Sequence, residues 1–411
     1  MLTQDKKKTQ MNTGLLAMLA GLIVARLSCV ALTNIPLLTI GFVMAYAIVF
    51  IALLFCSMKH MTKTEIYALF ALVIYVFEVV LSCLISSKGL FETQAFNAYI
   101  LLILFFVYLY IKRLPKEKQK IFFIITLIGF TFTFIYSIVK LIEDPMLSRL
   151  AATGRYNEGS VDTLSAIGGF DTTYGGLLVF IVLAYLMTTV KNKREKIGVV
   201  LALISCIVFI IMATYATAIV LLVVAIALIV FKKSNMSALL LILLMVACFI
   251  FRESIGKNIM QWSKTINYSD VFQDKMYQIG YIIRYGESVG TLAGEEGRWA
   301  RIGWSLNSFF QYPIFGAFTQ SDMKIGSHSE VADLLGRFGI VGFTALVTFF
   351  AFLFKDIAKG FTTRLGKKLL FVVIIIYLAI SVLDPALYTQ QVLPIFLLVP
   401  FTELWVKGRE V

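Results

Sequence analysis

The sequence predicts an all-α protein that crosses a membrane many times, and three observations lead there. Hydrophobic residues fill 59% of the 411 positions and charged ones 15%, with strongly positive mean hydropathy, far from the balance of a soluble domain. The apolar residues gather into about twelve runs that meet or approach the roughly 20 residues a helix needs to span a bilayer. Basic residues concentrate in alternate connections between those runs, the pattern that orients a polytopic chain.

In chain order the runs cover residues 14–33, 35–58, 65–86, 95–111, 121–142, 174–190, 197–214, 216–231, 237–251, 338–354, 369–383 and 391–406. The start, MLTQDKKKTQ, leads into an apolar run that carries Arg26 and lacks a convincing cleavage site, so it reads as a retained first span. Lys6, Lys7 and Lys8, then Lys59 and Lys63, IKRLPKEKQK, KNKREK, Lys232 and Lys233, KDIAKGFTTRLGKK, and Lys407 with Arg409 hold most of the basic residues. Alternation then works throughout and places both termini in the cytoplasm. The net charge of +13 is accounted for by this arrangement, not by a nucleic-acid partner. Cys29, Cys56, Cys83, Cys206 and Cys248 lie in or at the ends of apolar runs without CxxC spacing, as buried small hydrophobes do.

Two connections on the opposite side are long, about 143–173 and 252–336, and long loops on one face carry function more often than short ones. The chain therefore divides into nine spans over 1–251, an extracytoplasmic loop over 252–336, and three spans over 337–411. In the loop, Val271, Met276, Ile279, Ile282 and Ile283 at helical spacing predict an amphipathic helix over 270–285, after Ser269 as a cap. A second is expected over 295–311, ended by Pro313. A third is expected to start at Ser327, where Ser327 and Glu330 have capping-box spacing, and to run through Gly336 into the tenth span.

Polar side chains that could carry chemistry concentrate in residues 297–342. Arg298 and Arg301 are three apart, so on a helix both leave one face, with Ser305 continuing it. Two adjacent guanidiniums suit a diphosphate, which accepts bidentate charge-assisted bonds; contact with lipid headgroups, or pairing with Glu295 and Glu296, is the alternative. The capping box would put His328 at the first helical position, where the dipole favours a neutral ring able to accept a proton. A histidine at a loop end without a role is the competing interpretation. Glu330 is explained by the cap. Asp333 and Arg337 fit a helix-surface pair, while Arg337, near the membrane edge, could also meet phosphate. Arg155 is the basic candidate of the shorter loop, His60 reads as interfacial, and Lys140 can snorkel. Arg26 and Glu78 fall at similar depth in the first and third spans, which predicts a buried ion pair. No phosphate-cradling GxxxxGK[ST], HExxH, GxSxG or cysteine-histidine metal set occurs, and no cofactor or metal is expected.

The segments GRWARIGWSLNSFFQYPIFG and SHSEVADLLGRFGIVGF resemble the arginine helix and the histidine motif of the Wzy-type polysaccharide polymerase and O-antigen ligase superfamily of bacterial inner-membrane proteins. The sharp similarity covers about 45 residues; elsewhere only the expected topology agrees, with a large, partly helical loop between the ninth and tenth spans of a GT-C-like fold. The resemblance implies a multi-pass glycosyltransferase that moves oligosaccharide from an undecaprenyl-diphosphate carrier to a sugar hydroxyl, inverting and without metal, in capsule, exopolysaccharide or O-antigen synthesis. His328 would take the acceptor proton, and Arg298 or Arg301 would hold the leaving diphosphate. Residues 213–217, ATYAT, lack the arginine often found there in the family, which leaves Arg155 or Arg284 as a second phosphate ligand, or none. Expected partners are the lipid-linked oligosaccharide, membrane lipids, a flippase and a chain-length regulator. A ligase that attaches finished glycan has the same needs as a polymerase. A flippase or other transporter, and a membrane-surface binding protein, are the other classes; against transport stand the absence of evident inverted repeats and the clustering of polar residues in one loop.

Overall fold

The computed structural model describes residues 16–33, 51, 61–85, 93–144, 147, 167–213, 215–230, 252–266, 270–285, 298–317, 320 and 323–407. Among them seven helices are long and apolar enough to cross a membrane, and three shorter apolar helices accompany them. These ten match ten of the expected runs. The run at 35–58, apart from Ile51, and the run at 237–251 lie outside the described residues.

We number the helices α1 (Leu16–Ser28), α2 (Lys63–Ile85), α3 (Thr93–Arg113), α4 (Lys116–Glu143), α5 (Phe170–Thr189), α6 (Lys193–Met212) and α7 (Ala216–Val230). The loop contributes α8 (Arg252–Thr265), α9 (Asp270–Tyr285) and α10 (Arg298–Gln311). Then follow α11 (Glu330–Gly360), α12 (Arg364–Leu383), α13 (Thr389–Leu397) and the short α14 (Leu404–Lys407).

Local chemistry sets the helix starts. Thr62 and Glu65 close a capping box on α2: the Thr62 amide donates to Glu65 Oε2 at 2.7 Å and the Glu65 amide to Thr62 Oγ1 at 3.3 Å. Asn192 caps α6 and Thr363 caps α12. Pro115 separates α3 from α4, and the Gln119 side chain donates to the Lys112 and Leu114 carbonyls that the break leaves open.

The buried centre is α5, lined by α6, α7, α12 and α13. Gly175 permits this closeness, because a Cβ there would overlap the Gln390 carbonyl of α13. α2 lies antiparallel along α11: Lys359 Nζ donates to Thr64 Oγ1 at one end, and Glu78 faces Gly342 towards the other. The bundle thus has a basic end and a loop end. At the basic end Lys112 Nζ reaches Glu65 Oε1 at 2.9 Å and Asp356 Oδ2 at 2.5 Å, Arg113 reaches Glu65 Oε2 at 3.2 Å, and Tyr108 donates to Asp356 Oδ2 at 2.8 Å. This ties α2, α3 and α11 together where the basic connections lie.

One expectation about a buried pair changes. No ion pair joins Arg26 to Glu78 among the described residues: the Glu78 carboxylate lies against Gly342, while α1 packs on α4, with Gly21 against Phe122 and Ile125. Lys140 pairs with Glu143 at 2.7 Å, one helical turn away. Cys29, Cys83 and Cys206 are buried, as their apolar surroundings suggest.

Candidate functional site

The site forms where α10, the segment 323–329 and the start of α11 meet. α10 turns its polar stripe inwards: Ser305 and Ser308 are buried, Arg301 and Ile302 are half-buried, and Phe310 is exposed. Glycines set the closeness. A Cβ on Gly326 would overlap the Arg301 carbonyl, and one on Gly336 would press on that of Ser305. The segment before α11 therefore lies directly on the arginine helix.

Asp333 organises that segment. Its Oδ1 accepts from Ser305 Oγ at 2.5 Å and from the Ser327 amide at 3.1 Å, and its Oδ2 accepts from the Ser329 amide at 3.3 Å. Ser305 Oγ in turn accepts from the Gly326 amide at 2.9 Å. The carboxylate is buried, and every donor comes from another part of the site. Asp333 is thus a hub and not half of a surface pair with Arg337, which donates from Nη2 to Ser327 Oγ at 3.2 Å.

The expected cap is displaced by two residues. Ser329 caps α11, its side chain accepting from the Ala332 amide, and Glu330 is the first helical residue. Ser327 has φ 56°, in the left-handed region, and its hydroxyl serves Arg337 instead of a helix amide. Glu330 Oε2 accepts from the Ala386 amide at 2.8 Å, so this carboxylate is claimed by the turn between α12 and α13. His328 consequently precedes the cap and does not occupy the first helical position. Its Nε2 lies 3.0 Å from Arg301 Nη1. A guanidinium only donates, so in this contact Nε2 accepts and the ring is neutral, with its proton on Nδ1.

The 384–388 turn forms a second wall. Asp384 Oδ2 accepts from Tyr174 of α5 at 2.5 Å, and the Asp384 carbonyl accepts from the Glu330 amide at 3.3 Å. Tyr377 donates to the Ala386 carbonyl, and Gln391 Nε2 to that of Pro385. Burial pushes the Tyr388 hydroxyl pKa up, with Glu330 and Asp171 adding to the shift, so it stays a neutral donor. The Asp384-Pro385 dipeptide, an acid and a helix breaker at the end of an apolar run, is the signal in the sequence that could have found this wall.

The structure therefore brings Arg301, Ser327, His328 and Arg337 together, with Glu330 behind them. Arg298 opens α10, but its side chain lies outside the described residues. Arg284 sits on α9, which packs on α8 and touches α7. Arg155 and His60 lie outside the described residues. No group of three or more histidine, cysteine or acidic side chains is placed to hold a metal among the described residues. An apolar groove of about 370 Å³ between α2 and α11, lined by residues such as Tyr67, Phe70, Val341 and Phe352, is well separated in character from this polar cluster. Chemically, the cluster offers a neutral imidazole and two guanidiniums on one face, which suits an anion that arrives beside a hydroxyl. No model of a known protein family matches the chain, and no curated protein sequence matches it either.

Proposed function

We propose that this membrane protein is a polysaccharide polymerase, transferring oligosaccharide repeat units between undecaprenyl-diphosphate-linked glycans at the outer face of a bacterial cytoplasmic membrane. The observation that carries this reading is the pairing of His328 Nε2 with Arg301 Nη1 at 3.0 Å, with Arg337 tied to the adjacent Ser327. A glycan on a lipid diphosphate already has its leaving group, so transfer needs only a base and a positive cradle.

In the reaction His328 Nε2 takes the proton of the acceptor hydroxyl as its oxygen attacks the anomeric carbon. The carbon–oxygen bond to the diphosphate breaks, the electron pair leaves with the phosphate oxygen, and the configuration inverts. Arg301 and Arg337 meet the phosphoryl oxygens, where planar guanidinium forks fit best. Arrival of the diphosphate draws Arg301 from the imidazole and frees Nε2 for the hydroxyl. Until then the guanidinium keeps that nitrogen from acting on water.

The test supplies purified protein in vesicles with undecaprenyl-diphosphate oligosaccharide and neither nucleotide nor added metal. A ladder of lengthened lipid-linked products supports polymerisation. Product only on a different added acceptor would move the protein to ligase chemistry, and none on any acceptor would overturn glycan transfer. His328→Ala is expected to give no ladder at unchanged protein level.

A further inference from the structure

The turn that follows α10 is built inside out for a loop in water. α10 buries Ser305 and Ser308 while Phe310 is 75% exposed, and the next turn leaves Ile314 58% and Phe315 60% exposed. Three large hydrophobic side chains thus face away from the protein within six residues, with the exposed Asn307 and Gln311 bonded to each other on the preceding turn. An exposed cluster of large hydrophobic side chains marks a surface that is covered in use.

What adjoins the cluster identifies the cover. The turn is bonded to α11 at its break, where Gly339 takes φ 60° and ψ −159°. The Ile340 amide donates to the Pro313 carbonyl at 2.8 Å, the Val341 amide to that of Ile314 at 3.2 Å, and the Ala317 amide to that of Gly336 at 2.9 Å. Ile340, itself 51% exposed, opens an outward stripe on α11 that continues through Thr344 and Val347. That stripe belongs to a helix long and apolar enough to cross a membrane. Phe310, Ile314 and Phe315 therefore extend the lipid-facing surface of α11 sideways.

The backbone supports the same placement. A broken helix within hydrocarbon must have its freed amides and carbonyls met by protein, since lipid offers no partner. Here the turn meets them, one strand of backbone against the other, so the break needs no water.

We infer that residues 310–315 form a wedge inserted into the adjoining leaflet of the bilayer, its occupant being the acyl-chain region of membrane lipid just below the headgroups. The inference stands on exposure and continuity and does not require glycan transfer. If both hold, the wedge fixes the depth at which Arg301 and Arg337 meet a lipid-borne phosphate, so that substrate is reached without leaving the membrane.

The experiment introduces one tryptophan at a time, Phe310→Trp, Phe315→Trp and, as a control at the exposed, charged start of α6, Lys193→Trp. Each full-length variant is placed in phosphatidylcholine vesicles with or without 6,7-dibrominated chains, and unsubstituted protein run in parallel subtracts the native tryptophans. Loss of most of the added fluorescence at 310 and 315 to brominated lipid, with little loss to aqueous iodide, is expected; Lys193→Trp should show the reverse. Quenching of 310 and 315 by iodide and not by brominated lipid would overturn the wedge. A spin label at Phe315→Cys, compared with identically treated unsubstituted protein, gives a second readout: greater collision with oxygen than with a water-soluble nickel chelate supports insertion, and the opposite order refutes it. Glycan transfer enters neither measurement, so the two proposals fail separately.

Discussion

His328 and Arg301 hold one another in the resting protein, and this contact makes the identity of each side chain matter beyond its charge. Arg301→Lys keeps the positive charge and loses the planar fork, so it can neither lie against the imidazole nor grip a phosphate in two places. Transfer should fall by about 10–100-fold, measured as initial rate of ladder formation, with the melting temperature unchanged. Asp333 acts at one remove, as a positioning residue. Asp333→Asn keeps the shape but turns an amide donor towards one of the amides or the hydroxyl that now donate to it. The cost is about 1–3 kcal/mol, read as a lower melting temperature in detergent. Asp333→Glu should restore part of the transfer rate, because it keeps the acceptor. The types of these residues were legible in the sequence, as a histidine and arginines in one polar stretch. Their partners were not, since Ser305 and Asp333 meet only after two helices have folded against each other.

At the level of elements, hydrophobic period proved a sound guide where one face decides the structure. α9 begins and ends at the residues its period marks, and α11 runs from the loop into the tenth span as its pattern requires. The cap of α11 shows where local pattern loses. Ser327 with Glu330 fits a capping box by spacing, but Glu330 is claimed by the Ala386 amide, far along the chain, and Ser329 takes the cap. A tertiary bond to a buried carboxylate outweighs a local exchange of the same groups. The break in α11 was equally hidden, since glycines recur along that helix and only Gly339 adopts the strained geometry. Its φ and ψ belong to a region essentially restricted to glycine, and a Cβ there would also overlap the Ile314 carbonyl. Gly339→Ala should therefore lower stability by about 2–4 kcal/mol and detach the 313–317 turn. Hydrogen exchange at the Ile340 and Val341 amides, which that turn protects, would report the detachment directly.

Across the described residues, the seven long apolar helices support a multi-pass membrane protein, and the ends of α2, α3 and α11 that carry Glu65, Lys112 and Asp356 meet at one end. Similar depth alone did not pair Arg26 with Glu78 among the described residues, where the Glu78 carboxylate lies against Gly342 of α11. The chain instead ties its charged groups at the basic end. Asp356→Ala removes the acceptor of Lys112 and Tyr108 together. It should cost about 1–3 kcal/mol in thermal melts, below the full cost of stranding a buried charge, because Lys112 keeps Glu65. Transfer at the loop end should survive at temperatures where the variant stays folded.

The bonds from Glu330 to Ala386 and from Tyr174 to Asp384 also set a schedule for biogenesis. As the chain leaves the ribosome and enters the membrane, Arg301 and His328 emerge well before the residues that wall them in. The nascent protein must therefore hold an open, unlocked centre until the 384–388 turn is inserted and docks on α5. On the proposed function, competence for transfer arrives with the last helices, which makes it a report on completed assembly.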